Sequence, residues 1–400
     1  MKNIRGSGRD ASTAMGGAYA FVVIFGVVSL FSDMTHEGAR SITGPFLSSM
    51  GLDAAAVGII AGFGEFVGYG LRFVSGYLSD KTRRYWLVTG VGYAVNLLSV
   101  PLLALAGRWE IVALLMILER AGRAIRNPAR DAMLSHATAE MGRGKGFGLH
   151  EAMDQIGATT GPLIVTAVLA LGGSMRKAFA FLLVPAIAAL VVLSVSRLKF
   201  PHPETFEASK ERIGQAKLPA TLWLYLVAAS LVGAGFVDYP LIAFHLQKTG
   251  ALSLETIALF YSLAMGVDAI AALVFGWLYD KHGVAILTVS TIVALPFPLL
   301  AFSNSAFLPI IGIVLWGVGM GAQESIMRAA IGDMAPKDKR AMAYGAFNAI
   351  FGTAWFAGSA AFGILYDISI PLAIAFSLLL QFAALPLFLR IAAVQRKATS

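Results

Sequence analysis

The chain has 400 residues, 57% of them hydrophobic and 14% charged, with a mean hydropathy of +0.73. Such a composition excludes an ordinary soluble domain. With no cysteine there are no disulfides, thiolate metal sites or cysteine nucleophile. The formal charge of +8 suits a nucleic-acid partner only when it gathers on one solvated surface, and here the basic residues fall between apolar blocks, so no nucleic acid is expected.

A helix needs about 20 apolar residues to cross a bilayer. Apolar runs between polar breaks predict helices over 17–47, 53–79, 85–107, 110–136, 146–172, 178–197, 218–247, 253–279, 284–303, 306–334, 342–366 and 370–390. Residues 1–16 are polar and basic, and the apolar run behind them is too long for a signal-peptide core, so it reads as a retained first span. Twelve spans put both termini on one side. The loops of that side hold twenty lysines and arginines, against four on the other: Arg108, Arg176, Lys177 and Lys248. The positive-inside bias therefore makes both termini and the charged 198–217 linker cytoplasmic. The chain divides into a terminal segment 1–16, a bundle 17–197, the linker 198–217, a bundle 218–390 and a tail 391–400.

Seven arginines remain inside spans: Arg40, Arg72, Arg120, Arg123, Arg126, Arg130 and Arg328. A charge facing lipid costs several kcal/mol, so these residues and their acidic neighbours must face protein or a wet cavity. In the first span Asp33, His36, Glu37 and Arg40 share one helical face. Glu65 and Arg72 follow in the second, Glu119 with Arg123 in the fourth, and His150, Glu151 and Asp154 in the fifth. A carboxylate that moves between water and an occluded interior can load and release a proton, which makes Asp33, Glu37 and Glu65 the leading coupling candidates, with His36 and Asp154 behind them. The same acids and arginines can instead neutralise one another as structural pairs. No spacing demands a metal or cofactor.

The chain repeats itself. Gly76-Tyr77-Leu78-Ser79-Asp80-Lys81 closes the second span and Gly276-Trp277-Leu278-Tyr279-Asp280-Lys281 closes the eighth. Gly148 and Gly161 have counterparts in Gly345 and Gly358, and Phe31-Ser32-Asp33 in Phe236-Val237-Asp238. Repeated six-helix halves joined by a charged linker are a common transporter plan. The first hexapeptide, continued by Arg83 and Arg84, resembles the signature loop of the major facilitator superfamily, with Arg83 in place of its second glycine. Arg120 in the fourth span, and Gly157-Ala158-Thr159-Thr160-Gly161-Pro162 in the fifth, are similar to that family's helix-4 and antiporter motifs.

The resemblance implies an all-α integral membrane protein with two pseudo-symmetric six-helix bundles around a central cavity. It further implies a monomer, multi-pass in a bacterial inner membrane, and a secondary transporter rather than an enzyme. Spans 1, 4, 7 and 10 line the cavity in that family, which makes Asp33, Glu37, Arg40, Glu119, Arg123, Asp238, Glu324 and Arg328 cavity candidates, with Glu151 beside them. Gly76, Asp80, Arg84 and Asp280 read either as a conformational latch or as topology determinants. Gly157, Gly161 and Pro162 read either as tight helix packing or as a control on exchange. The expected activity is proton-coupled export of a small polar or ionic organic molecule by alternating access. Uptake of an organic anion on the cavity arginines is the alternative, ahead of metal-ion transport or a lipid-processing membrane enzyme.

Overall fold

The computed structural model describes residues 7–138, 143–201, 218–305, 307–336 and 340–399, so most of the linker and the extreme termini lie outside it. The described residues are helical throughout, as a bilayer requires of a chain whose backbone groups must be satisfied internally. The helices are α1 (Ser7–Ser49), α2 (Ala54–Thr82), α3 (Tyr85–Leu102), α4 (Trp109–Thr138) and α5 (Arg143–Ala170). Then come α6 (Met175–Phe181 and Leu183–Lys199), α7a (Ala220–Gly235), α7b (Tyr239–Lys248), α8 (Leu254–His282) and α9 (Ala285–Ala294 and Phe297–Ala301). Last are α10 (Leu308–Met334), α11 (Arg340–Ile368) and α12 (Ile370–Thr399).

Among the described residues nine spans are long and apolar enough to cross a membrane. The three that fall short have plain reasons. In α4 the run from Glu119 to Asp131 is dense in charge, α5 carries Glu151 and Asp154, and α9 is split where Pro296 and Pro298 interrupt the hydrogen-bond ladder. Large apolar side chains such as Leu105, Leu171 and Leu379 stand mostly exposed on the outer surface, the face a bilayer would cover.

Five spans differ from the sequence reading: α12 runs on to Thr399, α9 is split between Ala294 and Phe297, and three others depart as follows. α1 begins at Ser7, α6 begins at Met175 and so takes Arg176 and Lys177 into its first turn, and the seventh span is broken. At Phe236–Asp238 the backbone leaves the helix, and α7b restarts with Asp238 as its N-cap and Pro240 in its first turn. The carbonyls freed by the break are met by side chains. Gly235 O accepts from Ser377 Oγ and from Gln381 Nε2 (3.2 Å), and Val237 O accepts from Trp316 Nε1 at 2.8 Å. The matching stretch of α1, Phe31–Asp33, is unbroken helix.

The halves repeat in packing as in sequence. In the first, α1 packs on α5 and α6, and α4 on α2 and α3; in the second, α7a packs on α11 and α12, and α10 on α8 and α9. Helices α2 and α8 both end in a residue with positive φ, Arg83 (53°) and Gly283 (60°), so the arginine occupies a backbone conformation that favours glycine. Gly157 and Gly161 press α5 against the α1 backbone at Leu30 and Met34, and Gly358 presses α11 against α7a at Ala234. A side chain at any of the three would strike backbone, so glycine sets the helix spacing.

Candidate functional site

The halves meet along α2 with α11, α5 with α8, and α1 with α7b. At the end of the bundle that carries the turns at Gly51, Gly172 and Gly250 they close on small residues. Gly44 of α1 lies on the Pro240 carbonyl, Gly58 on the Ser359 carbonyl, Gly62 on Phe356 and Ser359, and Gly363 on Ala54. Asp367 of α11 caps α2 from the other half, accepting from the backbone N–H groups of Ala54 (3.2 Å) and Ala55 (2.7 Å). Thr166 Oγ1 donates to the Glu255 carbonyl at 3.4 Å and Ser262 Oγ to the Thr159 carbonyl at 2.7 Å, which ties α5 to α8.

Behind this seal lies a cavity of about 420 Å³, a size typical of small-molecule sites. It reaches solvent toward the opposite end, where Glu151, Glu324 and Arg328 are exposed on its wall. Asp33, Glu37, Arg40, Glu65, Arg123 and Asp154 line it as well. His36, Glu119 and Asp238 do not reach it; they are buried in the layer behind, where they hold the lining residues in place.

That layer and the wall in front of it hold one large network of charges and two smaller clusters. Glu37 of α1 accepts from Tyr261 of α8 at 2.5 Å and faces Arg123 (3.6 Å) and Arg40 (3.9 Å). Arg40 donates to Asp238 Oδ1 across the half interface at 2.6 Å and lies 4.0 Å from Glu65. His36 sits between Glu119 (2.6 Å), Glu37 (3.3 Å) and the Arg120 guanidinium (2.9 Å). Arg120 continues to Glu65 at 3.1 Å, and Asn96 Nδ2 donates to Glu119 at 2.6 Å. Nearer the open end Arg126, fully buried, lies 3.6 Å from Asp33 and stacks 4.2 Å above the Tyr93 ring. Arg130 pairs with Asp131 (2.9 Å) and Asp154 (4.0 Å), and His150 joins Asp154 at 3.4 Å and Ser29 at 3.1 Å. Each buried charge in this network has an opposite charge or a polar donor beside it, the condition on which such groups are tolerated.

The latch residues stand apart from the cavity. Gly76 packs loosely beside Pro128, Arg84 and Asp280 are exposed without an ion-pair partner among the described residues, and the side chain of Asp80 lies outside them. Pro162 sits within α5, where its carbonyl accepts from Thr166 Oγ1 at 2.9 Å. Among the described residues no group of three or more His, Asp or Glu side chains is arranged to hold a metal ion. Asp268 of α8 and Tyr261 are the site residues that the sequence reading missed. Asp268 is 3% exposed and lines the cavity, and its signal was an acid in the apolar middle of a span whose other acids, Glu255 and Asp280, lie at its ends.

The family model for the major facilitator superfamily matches residues 13–359 and again 234–399. An uncharacterised protein of Mycobacterium tuberculosis is 40% identical over 375 residues, 92% of each chain. A protein of Methanocaldococcus jannaschii named an uncharacterised MFS-type transporter is 27% identical over 359 residues, 87% of this chain and 89% of that one. Among solved structures, the nucleoside transporter NupG superposes with a TM-score of 0.75 at 13% identity, covering 92% of this chain and 100% of that one. An inward-facing, unoccupied bacterial homologue of the lysosomal transporter Spinster gives 0.68 at 12% identity, covering 94% and 96%. The structural likenesses establish the fold alone. With the family match spanning both copies of the repeat and the relatives running nearly end to end with the sequence, the chain belongs to the major facilitator superfamily and is a membrane transporter.

Proposed function

We propose that the protein is a proton-coupled secondary transporter that exports a small polar or ionic organic solute by alternating access. The observation that carries this reading is the ionisable cavity between two halves that are sealed on one side only. With the basic loops inside, the open end faces the cytoplasm, where an exported solute would load. The carboxylates of Asp33, Glu37, Glu65 and Asp154 on the cavity wall offer places for a proton once the opposite end opens. The glycines of the antiporter-like motif, Gly157 and Gly161, seat α5 directly on the helix that carries Asp33 and Glu37, which supports exchange. The test is a ligand-stabilisation screen of the purified protein, followed by transport of the hits in proteoliposomes with and without a pH gradient. Accumulation that needs the gradient is expected, and equal accumulation without it overturns the coupling.

A second reading, transport of an organic anion, is favoured by Arg72 and Arg328, which line the cavity with no carboxylate partner among the described residues.

The orientation is checked separately. The chain has no native cysteine, so a cysteine placed at the exposed position 176 is a unique label. It is expected to react with an impermeant reagent from outside the cell; reaction from the cytoplasm alone would invert the topology.

A further inference from the structure

At the open end of the bundle, apart from the central cavity, the turn between α2 and α3 and the end of α6 enclose an open cleft of about 600 Å³. Three guanidinium groups line it, Arg83, Arg84 and Arg197, together with Trp86, Leu87 and Leu198. Its two sides are joined, because Trp86 Nε1 donates to the Phe200 carbonyl at 3.0 Å. All three arginines are exposed, and none has an ion-pair partner among the described residues. The lysines at the rim are engaged elsewhere, Lys81 over the Tyr77 ring at 5.7 Å and Lys199 over the Phe200 ring at 5.8 Å.

The repeat supplies an internal comparison. The matching turn of the second half runs Gly283-Val284-Ala285-Ile286 without a basic residue, so forming the turn does not call for arginine. Arg83 moreover holds a φ of 53°, where glycine would sit without strain. A positive charge that only sets topology can stand anywhere in a loop, and needs neither a strained backbone nor a third arginine from α6. Strain kept beside three unpaired arginines points to a ligand.

The surroundings say of what kind. Leading away from the arginines, Leu87 and Val91 make an exposed apolar stripe on α3, and Val191, Val195 and Leu198 make another on α6. The two helices pack against each other. A molecule that fits has an anionic head for the guanidinium forks and long apolar tails for the stripes.

We propose that this cleft binds an anionic phospholipid, whose headgroup phosphate docks on Arg83, Arg84 and Arg197 and whose acyl chains run along α3 and α6. The bound lipid ties the α2–α3 turn to the end of α6 within one half. No residue lining the cleft lines the central cavity, so the site stands whether or not the transport reading does.

The test uses the purified full chain, delipidated in a non-ionic detergent. Its melting temperature is followed against added dioleoyl phosphatidylglycerol or dioleoyl phosphatidylcholine. Half-maximal stabilisation is expected at about tenfold less phosphatidylglycerol than phosphatidylcholine. A cation at an anionic lipid surface contributes about fivefold, so Arg84→Gln and Arg197→Gln should each cut the preference by about that factor and together abolish it. Arg83→Gly separates binding from folding: relief of the backbone should raise the melting temperature in phosphatidylcholine while the preference for phosphatidylglycerol falls. Equal stabilisation by the two lipids overturns the proposal, as does a preference that survives the Arg84→Gln/Arg197→Gln double change. Glycerol 3-phosphate acting as well as the lipid would mark a site for a soluble anion and overturn it too. So would a preference that appears only after Glu204→Gln, Glu207→Gln and Glu211→Gln together, since the linker would then be the native occupant.

Discussion

Asp238→Asn is expected to destabilise the protein by about 3 kcal/mol, because it leaves Arg40 buried with its nearest counter-charge removed. Arg40 is 7% exposed, and after the loss of the 2.6 Å contact its remaining carboxylates, Glu37 and Glu65, stand at 3.9 and 4.0 Å. Asparagine keeps an oxygen for the α7b cap, so Asp238→Ala should cost about 1 kcal/mol more. The double change Arg40→Met with Asp238→Asn should recover much of the loss, since it removes both charges together. The pair also joins the two halves, so the single variant should populate the state in which the sealed end is open. Unfolding of purified variants measures the first effect, and the distance between spin labels at the exposed positions 171 and 368 measures the second. An unchanged melting profile and distance distribution would show that the pair does not hold the halves together.

Gly44→Val should reduce transport by about 100-fold or more while the protein stays folded. The added side chain would strike the Pro240 carbonyl, a backbone atom of the other half that has nowhere to move while the seal is shut. The three atoms nearest the new Cβ all belong to Pro240, in the other half. The clash exists only in the closed state. A bias of about 2.7 kcal/mol against one of two alternating states corresponds to a hundredfold change in their ratio, and a carrier that cannot close one end cannot complete its cycle. The same label pair should report a longer distance in this variant, with the melting temperature close to that of the native chain. A short distance with normal transport would mean that the helices part easily at this crossing.

Much of this was legible in the sequence. A bilayer forces apolar runs of a fixed length, so the spans, the loop bias and the repeat can be read directly, and ionisable residues inside spans mark a protein interior. The break in the seventh span was harder to see, because Phe236 and Val237 are as apolar as their neighbours; the sign was Asp238 followed by Pro240, a cap and a first-turn proline. Asp268 escaped because the repeat gave no support: its counterpart in the first half is Gly68. Which charges cancel could not be read at all. Arg40 pairs most closely with a residue 198 positions away, and His36 lies between Glu119 of α4 and its own neighbour Glu37. Sequence places these groups inside the bundle, whereas their sorting into paired and unpaired depends on how six helices cross.

The gap between α7a and α7b makes the two halves mechanically unequal. In the first half the gate segment of α1 continues, as unbroken helix with Pro45 within it, the same rod that bears Asp33 and Glu37. The second half has a joint at Phe236–Asp238, and beyond it a ten-residue lever, Tyr239–Lys248, whose base carries both the Arg40 contact and the Gly44 contact. Swinging that lever would release both contacts while α7a stays seated on α11 and α12. The lever is also tied to its own half, by Tyr239 to the Ile257 carbonyl and by His245 to Tyr366, so the sealed end depends on one short segment that answers to both halves.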